Sequence, residues 1–209
     1  MRYRLNREKL KEAVCRVVDG CKARDLGAVK LHKVLYYADM LSYLESGKPM
    51  TGAVYRKRPF GPTCDALLSV LSELDADGAI QVEEVNYYGY MKREFRPLKP
   101  HNYSHLSDRE VALLDSMVQF VCYQNTAKSI SDFSHDIVWD MVDFGQDIPY
   151  HAALNWLPVE VPQEALDEAA AVWAGIENKE SVRKATLEGR VLSPLRERLV
   201  KHARQEALS

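Results

Sequence analysis

Histidine and cysteine are the residues of this chain that could most readily bind a metal or carry catalysis, so their spacing is the first evidence on chemistry. The histidines form no HExxH pattern. His101 and His105 are four residues apart, but they lie between Pro100 and Ser107 in a segment predicted to be a loop. The cysteines contain no CxxC pair, which predicts free buried thiols and no zinc site. The cysteines are Cys15, Cys21, Cys64 and Cys122.

Motifs of nucleophilic and phosphate chemistry are missing from the sequence. The chain has no GxSxG pattern, no glycine-rich phosphate loop and no dinucleotide-binding fingerprint, and Gly47 and Gly52 are isolated. We therefore expect no enzyme, no cofactor and no metal. A hydrolase or transferase site built from residues remote in sequence remains a third hypothesis, because remote residues leave no motif.

The charge and hydropathy of the whole chain argue against several classes of protein. The 209 residues carry a formal net charge of −2, so no global basicity points to nucleic acid. No segment approaches the roughly 18 consecutive apolar residues of a membrane span. The N-terminal sequence MRYRLNREKLKEAV carries charges where a signal peptide needs an apolar region. We expect a mature, soluble, cytoplasmic protein.

Hydrophobic periodicity predicts a mainly α-helical chain with a small inserted antiparallel β-hairpin, an α+β fold. A helix capped by Asn6 precedes a second helix over about 28–46, which is apolar on most of its circumference and should lie centrally. A third helix is predicted to start at residues 61–63, and alternating residues near 79–98 predict the hairpin. A capping box at 107–110 predicts a fourth helix.

These elements predict two regions. A helical, bundle-like domain with the hairpin is predicted over residues 1–155, and prolines at 149 and 158 break the chain into connecting segments near its end. A helical, charged C-terminal extension is predicted over 156–209. This extension could contact a partner, form a dimer arm or pack on the domain.

One face of the second helix carries rings and an acid. His32, Tyr36, Asp39 and Tyr43 are spaced by four, three and four residues, so they share this face. Two interpretations stay open. The face is either a hydrogen-bonded network in the core, in which Asp39 fixes the following turn, or one wall of a groove for a partner.

Three cations run into a Phe-Gly-Pro turn shortly after this helix. Arg56, Lys57 and Arg58 precede the sequence PFGP at 59–62. Arg56 and Arg58 are predicted to pair with Asp39, because arginine forks fit carboxylates. The segment is either an ordinary solvated edge or a rigid cationic segment with an exposed Phe, which is how protein interfaces are anchored.

A helix followed by a hairpin, over 63–98, is also the order of a winged helix. The hairpin carries the cations Lys92, Arg93, Arg96 and Lys99. The solvent-side candidates of the helix are Asp65, Ser69, Ser72 and Glu73, and none of them suits a base edge. A DNA-binding regulator is therefore the alternative function, and we do not expect nucleic acid as the main partner.

Two motifs resemble those of a known family. The segment KLHKVLYYADMLSYLESGKPMTG resembles the opening signature of the SocA-like antitoxin family, the Panacea domain, which has a K-L-x-K-L-L-Y-x-A-D helix, a Gly-x-Pro end and then a Tyr-Gly-Pro turn. This chain has Phe60 in place of that Tyr. The segment ISDFSHDIVWDMVDFGQDIPY is similar to the family's closing motif. The two motifs bracket about residues 26–155.

The resemblance implies a binding module without chemistry that neutralises a cognate toxin by direct contact, and at least one member delivers its toxin to a protease. It implies a toxin protein as partner, with a protease or chaperone as a further candidate; a homo-oligomer is left open. We predict partner contacts from Tyr36, Tyr37, Asp39, Tyr43, Arg56, Lys57, Arg58, Phe60, Gly61 and Pro62. The resemblance marks His135, Trp139, Pro149 and Tyr150 as structural motif residues. We expect His135 to cap or brace a helix end, and metal or proton chemistry is the alternative.

Overall fold

The computed structural model describes residues 3–87, 89–157 and 167. The chain divides into two compact units, Met1–Asn155 and Trp156–Ser209. Apart from Asp167, which is helical, the predicted helices of the 156–209 extension lie outside the described residues. Among the helices that are described, none is long and apolar enough to cross a membrane.

Helix α1 (Arg7–Gly20) begins at the predicted cap, where the Asn6 side chain accepts a hydrogen bond from the Lys9 backbone N–H at 3.1 Å. Its apolar residues fall on one face and are all buried, as the 3.6-residue period predicted. The buried side chains predicted for this face are Leu10, Ala13, Val14, Val17 and Val18.

Helix α2 (Ala28–Ser46) forms the centre of the first unit and packs against α1, the fourth and fifth helices and part of the sheet. It ends at Gly47, which adopts a left-handed φ of +72° while its backbone N–H bonds to the Tyr43 carbonyl at 2.8 Å. Buried residues occupy most of its circumference, and they include Lys33 and Asp39. A central position therefore buries polar groups that need partners inside the protein.

Helix α3 (Leu67–Ala76) leads into the predicted hairpin of β3 (Ile80–Tyr87) and β4 (Tyr90–Pro97). The strands are antiparallel, with Ile80 opposite Pro97 and Tyr87 opposite Tyr90. The base of the hairpin joins the core through Ile80 and Phe95, both fully buried, whereas its tip is exposed.

The fourth helix, α4 (Asp108–Val118), begins with the predicted capping box of Ser107 and Glu110 and continues into a π-helical turn at Gln119–Tyr123. The remaining helices are short. They are α5 (Ala127–Phe133), α6 (Ile137–Asp140) and a 3-10 helix at Tyr150–Trp156.

A second, very small sheet has the strand order β2-β1-β5. Strand β1 (Tyr55–Arg56) pairs with both β2 (Thr63–Cys64) and β5 (Asp147–Ile148), antiparallel in each case. The prediction that a helix starts at residues 61–63 is wrong. Thr63 and Cys64 extend along β1 instead, and α3 begins only at Leu67. With its two small antiparallel sheets among helices, the fold is the predicted mainly α, α+β class.

Candidate partner-binding site

The most exposed aromatic ring of the predicted cationic segment stands on a tight turn. The Gly61 backbone N–H bonds to the Arg58 carbonyl at 2.8 Å and closes the turn. Arg58, Pro59 and Phe60 lie on the outside, and the Phe60 side chain is 70% exposed. Gly61 and Pro62 are buried. The turn therefore presents a cation and a ring to solvent while its second half enters the core.

Lys33 of α2 holds this turn from inside. Its side chain is only 1% exposed, and its Nζ donates to the carbonyls of Phe60 at 2.6 Å and Pro62 at 3.1 Å. Burial lowers the pKa of Lys33 to about 7, because removing an ammonium from water disfavours its charged form. The ammonium thus replaces water as the donor for two buried carbonyls.

Glycine is the only residue type that fits at position 61, between Lys33 and the end of α5. Its φ is +88°, and a Cβ there would lie 2.2 Å from Ser134 Oγ and 2.5 Å from Lys33 Nζ. Ser134 is fully buried and its hydroxyl donates to the Ser131 carbonyl at 2.8 Å. The opening and closing motifs therefore meet at this glycine.

Lys57 joins the same turn to the segment after α6. Two backbone hydrogen bonds of 3.0 Å pair Lys57 with Gly145 and Gln146. Its buried Nζ donates to the Val142 carbonyl at 2.8 Å and lies 3.9 Å from the centre of the Trp139 ring. Lys57 therefore connects the turn to the segment after α6. Its side chain is used for this contact, which corrects its prediction as a partner contact.

These contacts of Lys57 bring a second exposed ring, that of Phe144, close to the turn. Phe144 lies 5.2 Å from Lys57 Nζ, packs edge-on against Trp139 at 5.4 Å, and is 63% exposed. The His135 ring stacks on the Trp139 ring, and the two ring centres are 4.1 Å apart. We call the exposed set Arg58, Pro59, Phe60 and Phe144 the Phe60 corner.

Asp39 belongs to a buried network. Its carboxylate is fully buried and accepts hydrogen bonds from the Thr51 backbone N–H at 2.6 Å, the Thr51 hydroxyl and the Tyr55 hydroxyl at 2.7 Å. Burial raises the pKa of Asp39, and these hydrogen bonds oppose the shift. The core-network interpretation therefore holds for Asp39, and its prediction as a partner contact is corrected.

The predicted arginine partners of Asp39 are wrong. Arg56 pairs instead with Asp147 at 2.9 Å and Asp65 at 3.0 Å, across the small sheet. Consecutive strand residues point to opposite faces, so Tyr55 faces the core and Arg56 faces away from it. Arg58 lies beyond the strand on the exposed turn.

The other predicted ring contacts on α2 divide by burial. Tyr36 and Tyr37 are fully buried, so their prediction as direct partner contacts is corrected; they pack against each other with ring centres 5.2 Å apart. Gly61 and Pro62 are likewise buried and support the turn from within. Tyr43 is half-buried.

Tyr43 and the last four residues of the closing motif, 147–150, are among the residues that line a cleft of about 500 Å³. Tyr150 stacks on Tyr43 with ring centres 6.0 Å apart, and its hydroxyl donates to the Ala53 carbonyl. Burial raises the pKa of Tyr150 well above its usual range. Tyr150 thus fastens the chain after β5 to the chain before β1, and Pro149 lies beside it in the cleft wall.

Three cations of the hairpin are paired with carboxylates of the hairpin itself, and Lys99 after it binds a backbone carbonyl. Arg93 lies 3.2 Å from Glu84, and Lys92 lies 3.2 Å from Glu94. Arg96 lies 3.6 Å from Glu83. Lys99 donates to the Asp77 carbonyl at 2.9 Å. A wing that binds phosphate needs cations directed at the ligand, so these pairs weaken the case for DNA contact.

His32 is a further polar residue of α2 that has a hydrogen-bond partner inside the protein. Its Nδ1 accepts a hydrogen bond from the Cys64 backbone N–H at 3.1 Å, and burial lowers its pKa to about 4. It is therefore a neutral acceptor that anchors β2. Within the described part of the chain, no three His, Cys, Asp or Glu residues are grouped so that they could hold a metal ion.

Sequence reasoning missed Lys33 and Ser134 as the supports of the turn. Lys33 belongs to α2, which is predicted to be apolar on most of its circumference, and Ser134 lies within the closing-motif segment. A lysine inside an apolar helix was the available signal, because such a cation must find acceptors within the protein.

A comparison with protein families matches residues 31–140, which are 110 of the 209 residues, to the family described as antitoxin SocA-like, Panacea domain. A search of curated proteins and a search of solved structures found no match. The matched segment contains Lys33 and the corner residues Arg58, Pro59 and Phe60, and it ends before Phe144. The chain therefore belongs to the SocA-like antitoxin family that carries the Panacea domain.

Proposed function

We propose that this chain neutralises a cognate protein toxin by direct contact, with the Phe60 corner as the contact surface. The observation that carries the proposal is the display of Phe60, a ring 70% exposed on a turn whose carbonyls are held by a buried lysine. Membership in an antitoxin family supports a protein partner.

Rigidity is what makes this corner suited to binding. An exposed ring on a loose loop would lose conformational freedom when a partner covers it, and that loss would offset the gain from burial. Here Lys33 and the left-handed Gly61 fix the turn before any partner arrives. Aromatic residues and arginine are both enriched in protein interfaces, so Phe60 and Arg58 suit a contact surface.

The contact can act in two ways. A standard interface of about 800 Å² on each partner would cover a functional surface of the toxin and inhibit it without proteolysis. Alternatively, the bound toxin is delivered to a protease, and the antitoxin then acts as an adaptor. Co-expression in a host with and without its main cytoplasmic proteases separates these, because delivery lowers the toxin's abundance and occlusion leaves it unchanged.

The test uses the product of the neighbouring reading frame as the candidate toxin. Phe60→Ala is expected to weaken the complex by about 2 kcal/mol, or roughly 30-fold in Kd, as loss of a hot-spot ring does. Arg58→Glu should weaken it as well; Arg58 forms no ion pair with another described residue, so the fold should tolerate the change. Calorimetry measures Kd, and survival on co-expression measures neutralisation.

Tyr90→Ala is the matched control, because Tyr90 is 77% exposed at the hairpin tip and lies outside the Phe60 corner. It should leave both Kd and survival unchanged. Equal weakening by Phe60→Ala and Tyr90→Ala would contradict the proposed surface. A salt-dependent mobility shift with duplex DNA, together with failure to bind the toxin, would instead support the DNA-binding regulator.

A further inference from the structure

Two of the four buried cysteines are neighbours. Cys21 follows the last residue of α1, Cys122 lies in the π-helical turn, and the Cys122 thiol hydrogen-bonds to the Cys21 sulfur. Both are free thiols, 7% and 4% exposed. The Phe60 corner involves neither of them.

Contacts on both sides keep the two sulfurs together. The Tyr123 hydroxyl donates to the Gly20 carbonyl at 3.1 Å, so the residue after Cys122 is tied to the residue before Cys21. The buried Lys30 donates from its Nζ to the Cys122 carbonyl at 2.8 Å. Two residues far apart in sequence are thus held side by side by their own backbone neighbours.

The environment shifts the pKa values of the two thiols in opposite directions. The pKa of Cys21 is lowered, first by the hydrogen bond from Cys122 and further by the Lys30 cation, against the opposing effect of burial. The pKa of Cys122 is raised, because its proton is held by the Cys21 sulfur and the site is buried. Cys21 is therefore the nucleophilic sulfur of the pair and Cys122 the one that resolves it.

We propose that Cys21 and Cys122 form a reversible disulfide when the protein meets hydrogen peroxide. The Cys21 thiolate attacks one peroxide oxygen, the O–O bond breaks, and Cys21 becomes a sulfenic acid while the other oxygen leaves as hydroxide, which takes up a proton to give water. The Cys122 sulfur then attacks the Cys21 sulfur, losing its own proton as the sulfenic oxygen leaves as a second water. Two thiols are oxidised by two electrons, and one peroxide is reduced.

The other two cysteines are built-in controls. Cys15 and Cys64 are 4% and 1% exposed, and burial raises the pKa of each to about 12. They are as enclosed as the Cys21–Cys122 pair, but they are protonated thiols at neutral pH and should react slowly. Burial alone therefore does not separate the two pairs, whereas the lowered pKa of Cys21 and its contact with a second sulfur do.

The experiment treats the reduced full-length protein with hydrogen peroxide at micromolar protein concentration, then alkylates the remaining thiols in denaturant. Before alkylation, the expected result is a loss of about 2 Da in intact mass, the two thiol hydrogens. After alkylation, the treated protein should carry two alkyl groups where the untreated protein carries four. A peptide map should show Cys21 linked to Cys122 and leave Cys15 and Cys64 alkylated. Dithiothreitol should restore four alkylatable thiols.

Variants test the assigned roles. Cys122→Ser should stop at a sulfenic acid on Cys21 that dimedone traps, and Cys21→Ser should leave Cys122 unoxidised. A Cys15→Ser, Cys64→Ser double variant should still form the disulfide, and circular dichroism of each reduced variant checks its fold. Four thiols still free after treatment, equal oxidation of all four, or a linkage only between chains would overturn the proposal.

Discussion

Gly61→Ala tests whether the turn of the Phe60 corner depends on close approach of Lys33 and Ser134. Residue 61 has a φ of +88°, which costs a residue with a Cβ about 1–2 kcal/mol. The new Cβ would also lie 2.2 Å from Ser134 Oγ and 2.5 Å from Lys33 Nζ, so at least one of these buried side chains must move.

Moving Lys33 breaks hydrogen bonds from a cation to two carbonyls, and each such bond contributes about 1.5–3 kcal/mol. Loss of one bond added to the backbone cost gives a loss of about 2.5–5 kcal/mol in the free energy of unfolding. That is a large share of the stability of an ordinary domain.

Gly47→Ala is the matched control. Gly47 also has a positive φ, +72°, but nothing lies within 4 Å of the position its Cβ would take. Gly47→Ala should therefore lower the free energy of unfolding only by the backbone cost of about 1–2 kcal/mol. Urea denaturation followed by circular dichroism at pH 7 gives both values.

Ser134→Ala provides a second check, because it removes one of the two atoms in the way. Combined with Gly61→Ala, it should recover about 1 kcal/mol relative to the sum of the single changes. If Gly61→Ala and Gly47→Ala destabilise the protein equally, the close approach of Lys33 and Ser134 to the turn does not exist and the support argued for the Phe60 corner fails.

Three further predictions concern the buried polar groups of α2. Lys33 has a pKa of about 7 in the folded protein against 10.5 unfolded, so the unfolded chain binds more protons between these values. Stability should therefore rise by about 1.6 kcal/mol from pH 7 to 8.5 relative to Lys33→Met, as urea titrations at each pH would measure; parallel curves would contradict it. His32 has a pKa of about 4 against 6.5 unfolded, so stability should fall by about 1.6 kcal/mol from pH 6.5 to 5 relative to His32→Asn. The same titrations check this, and an unchanged slope in His32→Asn would show that His32 is not buried neutral. Asp39→Ala should cost about 3 kcal/mol in guanidinium denaturation by leaving the donors of Thr51 and Tyr55 unpaired, and a loss below 1 kcal/mol would refute the network.

Local signals predicted much of the fold. The bounds of α2 followed from its apolar run and from Gly47, which supplies the left-handed residue at its end. The capping box at Ser107 and the alternation of β3 and β4 are similarly short-range features. Each of these depends on residues a few positions apart, so a single sequence contains the information.

Contacts between residues far apart in the sequence explain why the remaining features were predicted wrongly or not at all. Thr63 and Cys64 have no periodicity of their own, and they form a strand only because β1 lies beside them and is itself paired with Asp147 and Ile148. The partners of Asp39 depend on which face of β1 turns inward, which the burial of Tyr55 decides. The acceptors of Lys33 are main-chain carbonyls, which carry no sequence signature.

The two-residue strand β1 also sets the order in which the protein can assemble. Its neighbours in the small sheet lie close on one side, at Thr63 and Cys64, and about ninety residues away on the other, at Asp147 and Ile148. A ribosome therefore releases the turn and Lys33 long before Gly145, Gln146 and β5, the later partners of Lys57 and β1. The complete Phe60 corner forms only when nearly all of the first unit has emerged.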